Sequence, residues 1–236
     1  MSEVIIITGA SSGIGAATAR ILAAQGASIV VNYVSPTALA EGVVDEVRAL
    51  GGKAIAVQAD MGKEADIVRL YAETDKAFGP VTGVVNDAGV NSPTHTHIAD
   101  YTFDEVMRVL GVNAAGVLIS CREAVKRMST KTGGKGGAIV NVSSIGALTG
   151  SPGRFIHYAG SKAAVDTMTM GMGVELAREG IRVNCVRPGM VDTPMYQEID
   201  RMVTEREGTP RGSQIRKMAV TIPMGRFATP TDIANV

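Results

Sequence analysis

The chain has 236 residues, 45% of them hydrophobic and 19% charged, with 23 basic and 23 acidic side chains and a formal net charge of zero. That length and apolar content suit one α/β domain over residues 1–236 with a sizeable core, and the charge balance removes any general electrostatic reason to bind nucleic acid or an anionic membrane. No stretch approaches the ~20 apolar residues of a membrane span, the start lacks a basic leader, and the two cysteines, Cys121 and Cys185, read as small core residues in a reducing compartment, so a soluble, cytoplasmic protein is expected.

Strands and helices alternate along the chain. The β-branched run Val4 to Thr8 reads as a strand buried on both faces. Ala16 to Gln25 is an Ala-rich helix stopped by Gly26. Ile29 to Val31 is a second strand, Leu39 to Leu50 a helix, and Ala54 to Gln58 a third strand. Glu64 to Phe78 is a helix closed by Gly79-Pro80, and Val81 to Val85 is a fourth strand. Phe103 to Met128 reads as one long helix, Thr130 to Gly137 as a surface turn, and Ala138 to Val142 as a fifth strand. Tyr158 to Glu179 is a helix stopped by Gly180, before a sixth strand at Ile181 to Val186. This alternation predicts a Rossmann-like, doubly wound parallel sheet in a three-layer α/β/α arrangement. Residues 190–226 break the rhythm, being polar, proline-punctuated and locally basic, and are expected to form a substrate lid.

Thr8-Gly9-Ala10-Ser11-Ser12-Gly13-Ile14-Gly15 follows the first strand and opens the first helix. Its glycines permit a tight turn and close approach of a pyrophosphate to the helix N-terminus; a plain βα turn is the bland alternative, and the flanking strand and helix favour the phosphate reading. The second strand runs into Asn32, Tyr33 and Ser35, where an NAD site places an acid for the ribose. No Asp or Glu occurs between Glu3 and Glu41, and no Arg or Lys sits near Ser35. Asn32, Ser35 and Thr37 can hydrogen-bond a phosphate, so NADP(H) is favoured and NAD(H) stays possible. Asp60 reads either as an acceptor for an adenine amino group or as a turn aspartate. Asn86-Asp87-Ala88-Gly89, after the fourth strand, offers small residues beside a cofactor or forms a simple turn.

Tyr158 and Lys162 lie one helical turn apart on one face. An ammonium so placed is expected to lower the phenol below its ordinary ~10 and make it a general acid or base near neutral pH. Ser144, upstream, strengthens that reading.

Together these motifs resemble the short-chain dehydrogenase/reductase family over nearly the whole chain. The resemblance rests on Thr8-Gly9-x-x-x-Gly13-Ile14-Gly15, Asn86-x-Ala88-Gly89, Asn113 in Gly111-Val112-Asn113-Ala114, Ser144, Tyr158-x-x-x-Lys162, and Arg187-Pro188-Gly189 with Thr193. The segments Cys121 to Met128 and Gly136 to Ser144 look like bacterial sugar dehydrogenases or 3-oxoacyl-carrier-protein reductases. The resemblance implies an NAD(P)(H)-dependent oxidoreductase acting on a small carbonyl or secondary alcohol. Tyr158 would exchange the proton, Ser144 would bind the substrate oxygen, Lys162 would hold the nicotinamide ribose and tune Tyr158, and Asn113 would anchor a relay water. The implied cofactor set is Gly9, Ser11, Ser12, Gly13, Ile14 and Gly15, then Asn32, Tyr33 and Ser35, then Asp60 and Met61, then Asn86, Ala88 and Gly89. Tyr158, Lys162, Pro188, Gly189, Val191 and Thr193 complete it, Thr193 reaching the carboxamide.

The family usually has a second Asn where Asp87 stands, and a carboxylate there would weaken cofactor binding or hold a proton. The resemblance further implies a helix and a seventh strand past Val236 that help build a tetramer, so a homo-oligomer, tetramer or dimer, is expected, with an open sheet edge and weaker assembly in their absence. A non-catalytic nucleotide sensor or scaffold on this fold is the alternative. His95-x-His97 reads as a solvated loop pair and no metal site is expected. His157 points away from Tyr158, touching a substrate pocket at most, and Met168, Met170 and Met172 read as core or interface filler.

Overall fold

A computed structural model describes residues 3–91, 97–153 and 155–236. Six parallel strands, β1 (Val4–Thr8), β2 (Ser28–Tyr33), β3 (Lys53–Gln58), β4 (Gly83–Asn86), β5 (Gly137–Val142) and β6 (Ile181–Val186), pair in the order β3-β2-β1-β4-β5-β6. The order reverses between β1 and β4, so the loops after these two strands diverge and leave a crevice at the carboxyl edge of the sheet. Register is continuous across that point: Ile7 stands beside Val31 on one side and Val85 on the other.

Alternate residues of β1 and β2 feed two cores. Ile5, Ile7, Ile29 and Val31 pack under α1 (Gly13–Ala24) and α2 (Thr37–Ala49). Ile6 and Val30 face the opposite layer, with Ile67, Leu70 and Tyr71 of α3 (Glu64–Phe78). Burial on both faces explains why these strands read as unbroken apolar runs rather than alternating ones. The three-layer expectation is met.

Most element ends differ from the sequence reading by one to three residues, and two differences matter here. The fourth strand begins at Gly83 rather than Val81, because Val81 is a core residue of the approach loop. The expected single helix 103–128 is two, α4 (Phe103–Leu110) and α5 (Gly116–Met128), joined by a π-helical turn at Gly111–Ala115. A Cβ on Gly116 would lie 2.1 Å from the Met61 carbonyl, so the backbone of the layer below sits where a side chain would project. After β5 come a short α6 (Gly146–Thr149) and the 21-residue α7 (Ile156–Leu176). The 190–226 segment holds two helices, α8 (Pro194–Glu207) and α9 (Ser213–Ala219), and α10 (Pro230–Ala234) follows. Met168 and Met172 of α7 pack on the core while Met170 is exposed. No helix among the described residues is long and apolar enough to cross a membrane.

Candidate active site

The glycine loop is shaped by contact with the loop after β4. Gly9 turns with φ +68°, and a Cβ there would meet Ala88 Cα at 2.9 Å. At Gly15 a Cβ would meet the Gly9 carbonyl at 2.9 Å and Asp87 Oδ2 at 3.0 Å. The Ala88 amide donates to Thr8 Oγ1 (3.0 Å), pinning the two loops together. α1 then starts at Gly13, with Ser12 at its cap making no side-chain capping bond and no acid in the first turn. Such a helix start favours phosphate.

Beyond this loop a cavity of about 630 Å³ runs along the carboxyl edge, a size suited to a cofactor and small substrate. Ser12, Gly13 and Ile14 line one end. Ser144, Tyr158 and Lys162 line the middle, with Asp87, Ala88 and Gly89 between. Pro188, Gly189, Val191 and Thr193 line the cavity as well, with Tyr196 of α8 and Gln214, Lys217 and Met218 of α9. Thr193 caps α8 by accepting from the Tyr196 amide (3.4 Å) and touches the glycine loop, its Cγ2 lying 3.4 Å from where a Gly13 Cβ would be. The cradle of Cβ-free backbone, the helix start and the cavity fit a dinucleotide, and Lys162 and Tyr158 line the same cavity.

Lys162 is buried; its Nζ donates to the Val142 carbonyl (2.7 Å) and lies 5.7 Å from the Tyr158 ring centroid. Burial lowers its pKa to about 8, against the pull of Asp87 and Asp166. The expectation that Lys162 lowers the Tyr158 phenol is not met. Burial pushes the phenol above its ordinary value, a hydrogen bond with Ser144 partly offsets this, and the Asp87 carboxylate adds to the rise. The physical reason is that desolvation dominates at the phenol, while the Lys162 ammonium is committed to the Val142 carbonyl.

The side chains of several expected cofactor residues bond within the fold. Asn32 is fully inside: its Nδ2 donates to the carbonyls of Ala59 (3.0 Å) and Val57 (3.3 Å), and its Oδ1 accepts from Gly9 N (3.2 Å). It clasps the glycine loop to β3 and has no bond to spare for a phosphate. Asn86 donates to Asn141 Oδ1 (2.9 Å) and to Cys121 Sγ (3.4 Å) across neighbouring elements, away from the cavity. Both Asp60 oxygens accept from Arg108 Nη1 at 3.0 Å, and Oδ1 also accepts from the Gly62 amide (2.9 Å). The turn reading of Asp60 is met; its adenine reading would compete with Arg108. Met61 buries its side chain in the core, so it offers only backbone. Tyr33 is buried at the end of β2, Ser35 is exposed just beyond, and Ser11 stays partly exposed in the loop.

Asn113 sits in the π-turn with no exposure. Its amide bridges both ways to Val90, accepting from N (2.8 Å) and donating to O (2.9 Å), and donates to Ser161 Oγ (3.1 Å). Its side chain thus ties the loop after Gly89 to α7, and a Cβ on Gly89 would lie 3.6 Å from Asn113 Oδ1 and 3.7 Å from Lys162 Nζ.

Sequence reasoning missed a clasp beside Lys162. Asp166, one turn on, accepts from Arg187 Nε (2.7 Å), and Ser143 Oγ donates to the Lys162 carbonyl (3.1 Å). The i, i+4 spacing of Lys162 and Asp166 was the available signal. His157 packs its ring 4.7 Å from that of Tyr101 and lies outside the cavity lining. His95 lies outside the described residues; His97 Nδ1 accepts from the Ala99 amide. No metal-binding group occurs among the described residues.

Comparison with known proteins agrees with this geometry. Residues 3–204 match the family model described as short chain dehydrogenase. The chain is 42% identical over 224 residues to the uncharacterized oxidoreductase YgfF of Escherichia coli (strain K12), covering 93% of this chain and 90% of that protein. It is 33% identical over 234 residues to a 3-oxoacyl-[acyl-carrier-protein] reductase of Synechocystis sp., covering 99% and 87%. The solved structure of levodione reductase superposes with a TM-score of 0.89 at 28% identity, covering 99% of this chain and 88% of that one. The chain belongs to the short-chain dehydrogenase/reductase family of oxidoreductases.

Proposed function

We propose that the protein is an NADP(H)-preferring reductase of a small carbonyl compound, with Tyr158 as the general acid. The observation that carries this reading is the convergence of Ser144, Tyr158 and Lys162 on one cavity whose other end is the glycine loop. The nicotinamide cofactor, when bound, supplies the hydride. Ser144 orients the substrate oxygen and, through its hydrogen bond, the Tyr158 hydroxyl. Because burial keeps the phenol protonated at neutral pH, Tyr158 holds the proton that the carbonyl oxygen needs as it becomes an alkoxide. Lys162, fixed by the Val142 carbonyl, places a cation beside the phenol and offsets its charge when the proton leaves.

The NADP(H) preference rests on the second strand. Asn32 stands where a ribose-binding acid would stand and is neutral, and no carboxylate lies between Glu3 and Glu41 to repel a 2′-phosphate. Residues 1–236 are read as one domain, with α8 and α9 of the 190–226 segment as the substrate lid. Exposed Phe103, Met107 and Leu118 on α4 and α5 support a homo-oligomer, tetramer or dimer, and the composition supports a cytoplasmic location. Fluorescence titration with NADPH and NADH, followed by a carbonyl panel with Tyr158→Phe as control, tests the reading. Much tighter NADH binding overturns the cofactor preference, and full turnover by Tyr158→Phe overturns the mechanism.

A further inference from the structure

Asp87 is a half-buried carboxylic acid that the proposed chemistry does not use. It stands on the loop after β4, and its Oδ2 accepts from the Gly15 amide in the first turn of α1 (2.9 Å). It lines the cavity with Lys162 and Tyr158. Gly89, two residues on, brings the same loop against the ammonium: a Cβ there would lie 3.7 Å from Lys162 Nζ. One carboxylate thereby touches the phosphate end of the site through Gly15 and acts electrostatically on the proton-transfer end.

From this placement we infer that Asp87 is a positioning residue that couples the charge of the Tyr158–Lys162 pair, and the dinucleotide affinity of the glycine loop, to its own ionisation. The inference rests on the proposed role of Tyr158 and Lys162. The charged groups acting on the pair are Asp87 from the β4 loop and Asp166 from α7, the latter tied to Arg187. Asp87 is thus the acid without an arginine partner. Burial raises its pKa to about 6, against the pull of Lys162 and the Gly15 amide. Above that pH its negative charge opposes phenolate formation at Tyr158, sustains the Lys162 ammonium, and faces the phosphates of an incoming dinucleotide at the start of α1. Below it the carboxyl is neutral and these effects fade.

Asp87→Asn tests this, because an amide oxygen still accepts from Gly15 while the charge is gone. Dinucleotide affinity, measured by fluorescence titration from pH 5 to 8.5, is expected to weaken severalfold in the wild type as pH rises through about 6, and to stay flat in Asp87→Asn. In alcohol oxidation, both limbs of the pH–rate profile are expected to move to lower pH in the variant, by roughly half a unit or more. Parallel affinity curves, or unmoved limbs, overturn the inference. A purely structural Asp87 would be damaged in Asp87→Ala, rescued in Asp87→Asn, and show no change of pH dependence in either. Tyr158→Phe run alongside separates the failures: full activity there sinks the proposed mechanism, whereas its loss with unmoved Asp87→Asn limbs sinks this inference alone.

Discussion

Two buried polar clusters stand at the same carboxyl edge of the sheet, one around Asn32 and one around Lys162, and they are built on opposite principles. The Asn32 cluster is neutral and saturated: one amide meets two carbonyls and the Gly9 amide, all on backbone. The Lys162 cluster is charged. A buried ammonium, a half-buried carboxylate and a half-buried phenol sit together, the first two shifted by desolvation to pKa values of about 8 and about 6. A saturated neutral network fixes geometry because nothing in it gains by changing state. A desolvated charged network is held near its titration points, which is what proton transfer requires. The first cluster shapes the cradle and the second is suited to chemistry.

The largest effect expected in breaking this contrast lies in the charged cluster. Tyr158→Phe removes the only side-chain proton donor proposed for the substrate oxygen, so turnover should fall by about 10²–10⁴-fold. Dinucleotide binding, by fluorescence titration, should change little, since the phenyl ring still fills its place. Loss of both together would mean that the hydroxyl builds the site instead of working in it.

In the neutral cluster the expected damage is to stability. Asn32→Ala leaves the Gly9 amide and two strand-end carbonyls without their partner inside the protein. Urea unfolding should show a loss of about 3–4 kcal/mol. Turnover per folded molecule should fall less than in Tyr158→Phe. A variant of unchanged stability would show that the clasp is replaced by water.

Much of this contrast was legible in the sequence, and its limits have physical causes. The central strands were readable because burial on both faces leaves runs such as Val4 to Ile7 uninterrupted by polar residues, whereas the outer β6 alternates buried and exposed positions. The glycine loop was readable because Gly9 and Gly15 face backbone at distances no side chain tolerates. The break at Asn113 was not readable: Gly111 to Ala115 carries no proline, and the close approach of Gly116 to the Met61 carbonyl just after it is a tertiary contact. Asn32 was assigned to the cofactor because a polar residue at a strand end looks the same whether it faces a ligand or neighbouring backbone, and Asn86 because of the family resemblance. The direction of the Tyr158 shift was missed for a related reason. Spacing reveals the Lys162 charge but not the desolvation that raises the phenol.

A third prediction separates the clusters by pH. The Asp87 carboxyl is raised from 3.8 to about 6. Its contribution therefore favours the folded state below about pH 4 and is lost as pH rises through about 6. Lys162 is lowered from 10.5 to about 8. Its contribution is present above about pH 10.5 and lost as pH falls through about 8. Asp87→Asn should therefore gain up to about 3 kcal/mol on the wild type between pH 4 and 7, measured by denaturation at each pH. Asn32→Ala should show the same deficit at every pH, since nothing in its cluster titrates.

The smallest effect is expected where a charged pair sits outside both clusters. Arg108 on α4 is about half exposed, at 48%, while it bonds both oxygens of Asp60. Solvent screens such a pair, and holding a long side chain in one place costs entropy, so the net contribution is small. Arg108→Ala should lower the melting temperature by about 1–3 °C. Dinucleotide affinity sharpens the test. With Arg108 gone, Asp60 keeps its bond from the Gly62 amide and has one oxygen free. Affinity unchanged within about threefold, or 0.7 kcal/mol, would fix Asp60 and Arg108 as a surface brace on the turn after β3. Affinity that rises more than this would mean that Arg108 masks an acceptor for the adenine amino group, and would return Asp60 to the cofactor site.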